Sequence, residues 1–127
     1  MMEGLDSAEI SRVIAAALPG PGGVALVVNV FANVPGVIHS PARRGIFKSA
    51  PERIHIGDWR YEVGRDGRLR ASHVVNGIVI AEETLAAHAV GPHVAGALGQ
   101  LVTYYGPGVI PSIDAALEAL RLSGGGL

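Results

Sequence analysis

A chain of 127 residues is one domain, long enough to bury a real core. With 49% apolar residues, 17% charged residues and a formal net charge of −1, it has little self-repulsion and no strong footprint for nucleic acid. The absence of Cys excludes disulfides, thiol catalysis and thiolate metal sites.

The start, Met1-Met2-Glu3-Gly4-Leu5-Asp6, is acidic and lacks the basic region and apolar run of an export signal. The longest apolar candidate for a membrane span, 24–28, falls far short of the roughly 20 residues needed. A soluble, cytoplasmic protein without a membrane partner is expected. Asp6-Ser7-Ala8-Glu9 reads as a capping box, and Ile10, Val13, Ile14 and Leu18 recur at helical spacing, so a helix is predicted over 7–17. Pro19-Gly20-Pro21-Gly22-Gly23 stops it. The nearly unbroken, β-branched run 24–31 predicts a strand buried on both faces, interrupted only by Asn29.

Asn33-Val34-Pro35-Gly36 signals a type II turn, with Val37-Ile38-His39 as a short return strand. The segment 40–50 is irregular, bounded by Pro41 and Pro51, and is expected to be the most mobile internal stretch. Three turns then organise 52–84 into four strands: Gly57-Asp58, Arg65-Asp66-Gly67 and Asn76-Gly77. A two-residue loop at Gly57-Asp58 sets Ile56 against Trp59, Ile54 against Tyr61 and Arg53 against Glu62. A bulged loop at Gly67 sets Val63 against Leu69, and a type I′ turn at Asn76-Gly77 sets Val75 against Ile78 and Arg70 against Glu83.

One face would then carry the alternating row Arg53, Glu62, Arg70, Glu83, and the other the row Ile56, Trp59, His73, Ile80. Beyond the sheet the chain turns helical. A first short helix over 85–90 would be capped by Thr84, and Gly91-Pro92 would kink it or open a second helix. Val94, Leu98, Leu101, Val102 and Tyr105 form an apolar stripe, and a last helix capped by Ser112 carries Ile113, Ala116, Leu117 and Leu120. The expected fold is therefore α+β. It has an N-terminal helix, an antiparallel meander with four strands within 52–84, a strand near 24–31, C-terminal helices packed on one face, and a flexible tail over 123–127.

Chemistry is sparser. In the predicted register His73 lies between Trp59 and Ile80, beside a row holding Tyr61, Ala71 and Glu82. Trp59, Tyr61, His73 and Glu82 are thus candidate ligand-binding residues for a sheltered pocket between sheet and helices. Arg43, Arg44 and Lys48 form a second candidate set, for an anion such as a phosphate.

No pair among His39, His55, His73, His88 and His93 has ligand spacing, so no metal is expected. The glycine clusters lack the ending of a P-loop and the spacing of a dinucleotide turn, and no serine sits in an elbow motif; no cofactor and no catalytic set is implied. Gly91, Ala95 and Gly99 would let another backbone approach one side of a helix, and Val74, Val79 and Ala81 interrupt the charged sheet face.

The Ala-, Gly-, Val- and Arg-rich composition, and the segments 54–59 and 77–84, resemble small proteins of high-GC actinobacteria. In size and element order the chain is similar to uncharacterised mycobacterial families, a resemblance that brings no assigned activity or site residues. Two functions fit. The first, favoured by composition, is a non-enzymatic, homodimeric interaction domain. The second is a small-molecule binder or enzyme using the Trp59–His73 pocket.

Overall fold

The computed structural model describes residues 5–19, 22–43, 45, 50–64 and 66–124. Asp6 accepts the Glu9 amide at 3.1 Å and starts helix α1, Ser7–Ala17, which buries Ile10, Val13, Ile14 and Ala17. The other half of the capping box is diverted: the Glu9 carboxylate bonds Arg121 of the last helix instead of its own amide end. The expected stop after α1 includes Gly20 and Pro21, which lie outside the described residues.

The strand expected near 24–31 is a helix, α2, Gly23–Phe31. A short run apolar all round is compatible with either state by periodicity alone, and packing decides it. Gly23, Val27, Phe31 and Val34 are buried at helical spacing, while Asn29 and Asn33, four apart, are exposed. Gly22 opens the helix at φ +66°, and any side chain at Gly23 would collide with the Leu18 carbonyl, so α1 and α2 meet in a tight corner.

The Pro35-Gly36 turn forms as expected, with Gly36 at φ +91° and the Val37 amide donating to the Val34 carbonyl at 3.1 Å. Five antiparallel strands follow in spatial order β1 to β5: Ile38–Ser40, Arg53–Ile56, Trp59–Val63, Leu69–Val75 and Ile78–Leu85. The segment expected to be mobile contributes one bridge, Arg43 with Ala50; most of 44–49 lies outside the described residues.

From β2 to β4 the register is the predicted one: Arg53 faces Glu62, Ile56 faces Trp59, Glu62 faces Arg70 and Trp59 faces His73. Val75 also faces Ile78 across Asn76 and Gly77, both at positive φ. Between these ends the prediction slips. A β-bulge at His73/Val74 gives β5 one extra residue, so His73 faces Ala81 rather than Ile80, and Arg70 faces Thr84 rather than Glu83. The reason lies at the far end of β5. An unbulged strand would turn Leu85 to water and Glu82 toward the helices; the bulge buries Leu85 and pairs Glu82 with Ser72 on the charged face. Ala81 likewise leaves the charged face, where Val74 and Val79 remain paired.

Because β5 extends to Leu85, Thr84 caps nothing. A single helix α3, Ala87–Tyr105, begins after Ala86 and runs through Pro92, whose missing N–H leaves the His88 carbonyl without its helical donor. After a 3-10 turn, Pro107–Val109, helix α4 spans Ile110–Gly124, so Ser112 lies inside its first turn rather than at its cap. Of the expected flexible tail, 125–127 lie outside the described residues.

Buried Ile54, Ile56, Tyr61, Leu69, Ala71 and Leu85 all project from one sheet face into a core shared with the four helices. Helices α2 and α3 touch the sheet, and α1 packs on α2, α3 and α4. Of the expected small-residue face of α3, Gly91 serves this packing, since a Cβ there would stand 2.7 Å from the Ser11 carbonyl oxygen of α1, whereas a Cβ at Gly99 would meet nothing within 4 Å.

Candidate functional site

The β2–β3 turn is where sheet and α3 exchange polar contacts. Gly57 takes φ +60° at the first corner, and a Cβ there would press on Gln100 at 2.9 Å. Asp58, the second corner, donates its amide to Gln100 Oε1 at 3.1 Å, and its carbonyl accepts the Val74 amide at 2.8 Å. The Asp58 carboxylate accepts the Tyr104 hydroxyl at 3.1 and 3.2 Å and stands 3.9 Å from His73 Nε2.

Next along β3, Trp59 stacks on His73 with ring centroids 4.6 Å apart and planes 17° from parallel. The same indole meets His93 of α3 nearly at right angles, at 4.3 Å. Two residues on, the fully buried Tyr61 hydroxyl lies 2.7 Å from His93 Nδ1 and 3.3 Å from the His93 carbonyl. Burial pushes the Tyr61 phenol well above its ordinary range, so it stays protonated and available as a donor. Desolvation lowers the His93 pKa, opposed by the charge of Glu83 and by a backbone hydrogen bond. The neutral His93 ring can then accept the Tyr61 proton at Nδ1.

The structure thus brings Trp59, Tyr61 and His73 together and leaves Glu82 out. Glu82 lies on the opposite face, where it accepts the buried Ser72 hydroxyl at 3.0 Å. Glu83 occupies the place foreseen for it, opposite Ala71 in the row of Tyr61. Sequence reasoning missed His93, Gln100, Tyr104 and Asp58. For the three on α3 the sequence does carry a signal: 93, 97, 100 and 104 recur along one face of a helix, beside the apolar stripe.

Chemically the cluster is a chain of satisfied contacts from Tyr104 through Asp58, His73 and Trp59 to His93 and Tyr61. It locks α3 to the sheet; Tyr104 is 57% exposed, and the His73 and Asp58 side chains are 29% and 35% exposed. Among the described residues, no group of three His, Asp or Glu side chains could hold a metal ion. Of the basic set, Arg43 is exposed and held by backbone bonds to Ala50, while Arg44 and Lys48 lie outside the described residues.

A second feature lies beside this cluster, at the free edge of the sheet. Among the described residues, strand β5 has a neighbour on one side only, and 78–84 are exposed along their whole length. Ile78, Val79 and Ile80 are 65%, 42% and 59% exposed, with Val75 beside them. No described helix is long and apolar enough to cross a membrane.

A family model described as Domain of unknown function (DUF5073) matches residues 2–122. The chain belongs to this family. No curated protein and no solved structure matches it. Membership of the DUF5073 family assigns no activity.

Proposed function

We propose that this DUF5073 chain is a non-enzymatic, cytoplasmic interaction domain that forms a homodimer by pairing β5 with β5 of a second copy. One observation carries the reading: an unpaired strand edge whose tip bears four exposed aliphatic side chains, Val75, Ile78, Val79 and Ile80. Soluble proteins usually blunt such edges with Lys or Pro, and β5 has neither. The Glu82–Glu83 pair protects the far half of the strand, which directs association to the apolar tip. A net charge of −1 puts little long-range repulsion in the way of two copies meeting.

Sedimentation equilibrium from micromolar to millimolar protein tests this. Dimerisation should be lost in Ile80→Lys, with the far-ultraviolet circular dichroism unchanged. A wild-type monomer throughout that range would sink the proposal.

A second reading, a small-molecule site at Trp59 and His73, is favoured by the exposed edges of His73 and Asp58 beside an aromatic face. It requires His73→Ala to abolish binding of any compound that raises the melting temperature.

A further inference from the structure

The sheet end remote from the Asn76-Gly77 turn holds a cavity of about 830 Å³. Three arginines from separate segments line it: Arg43 of the bridge, Arg68 of the β3–β4 loop and Arg70 of β4. Each is fixed at its backbone. Arg43 and Ala50 exchange hydrogen bonds at 2.9 and 3.0 Å. The Arg68 amide donates to Asp66 Oδ1 at 3.1 Å, and its carbonyl accepts the Gly64 amide at 2.8 Å. Arg70 is held in the ladder between Glu62 and Thr84.

Among the described residues, none of the three guanidinium groups forms an ion pair. The two acidic side chains in the lining are already engaged: Glu62 faces Arg53 at 3.6 Å, and Asp66 holds the Arg68 amide. Ala42, Ala50 and Pro51 supply apolar lining beside the charges. The volume is far larger than an inorganic ion needs, and it lies within the range of small-molecule sites.

We infer that this cavity binds a small organic anion, a phosphate or carboxylate carried on an apolar body. Arg43, Arg68 and Arg70 would grip the anionic group in forked, charge-assisted hydrogen bonds, and the body would rest on Ala50 and Pro51. The inference is independent of dimerisation through the apolar tip of β5, which lies at the other end of the hairpin from Thr84 in the cavity lining. It shares Arg43 with the basic set expected from the sequence, whose Arg44 and Lys48 lie outside the described residues.

Titration calorimetry with phenyl phosphate, benzoate and inorganic phosphate tests it on the full chain. Saturable binding of phenyl phosphate or benzoate, weaker binding of inorganic phosphate and weakening by salt are expected. Which organic probe binds tighter separates phosphate from carboxylate recognition. Arg68→Ala and Arg70→Ala, both at exposed positions where folding should survive, should each weaken binding by about tenfold. Asp66→Asn keeps the acceptor for the Arg68 amide but removes a negative charge, and it should bind more tightly. Arg12→Ala, on α1, should bind as wild type. No saturable binding of either organic probe, or equal affinity in the Arg68 and Arg70 variants, would overturn the assignment.

Discussion

Tyr61 shows how a single hydroxyl can fasten two layers. Its ring sits in the core while its oxygen reaches His93 on α3, so the side chain serves sheet and helix together. Replacing Tyr61 with Phe keeps the ring but leaves His93 Nδ1 without its partner, a loss of about 1 kcal/mol. Urea unfolding followed by tryptophan fluorescence should show the midpoint falling without a change in slope. His93 itself adds a pH dependence. Its folded pKa lies below the ordinary value of 6.5, so the unfolded chain takes up the proton first as the solution is acidified. The contribution of His93 is complete above about pH 6.5 and declines as pH falls from there toward the folded pKa. Melting temperature should therefore fall on acidification, and less steeply in His93→Gln. An equal slope in that variant would show that other groups govern the acid limb.

At the scale of elements, close approach of backbones decides which substitutions the fold accepts. Gly91 lies against the Ser11 carbonyl with no room for a methyl group, so Gly91→Ala should force α1 and α3 apart at a cost of roughly 1–3 kcal/mol. Gly96, farther along the same helix and facing open space, should accept Ala with slightly raised stability; thermal melts of the two variants distinguish the cases. Much of the sheet was legible because turn chemistry fixes register locally: Asn76-Gly77 and Gly67 admit few alternatives. Helix α2 was not legible in the same way. Its valines favour a strand intrinsically, and the preference is overridden by burial against the other helices, visible only as the faint alternation of Asn29 and Asn33. The cluster around Trp59 was half legible. Residues within the meander could be placed by register, whereas His93 and Tyr104 come from a helix whose docking angle no local signal specifies.

For the molecule as a whole, four helices share one side of the sheet and the charged side is built from paired ions and hydroxyls. The extra residue in β5 gives this arrangement an uneven response to changes in chain length. A gene lacking the codon for Ile80 would encode an evenly alternating strand, with Leu85 still inward and the same partners for His73 and Val74. A gene gaining one codon at that place has no such refuge. Every side chain from Ala81 to Leu85 would change sides unless the hairpin distorted further, expelling Leu85 from the core at about 2–3 kcal/mol. Length variation in this hairpin should thus be tolerated in one direction only, and refolding yields of the shortened and lengthened proteins would reveal it.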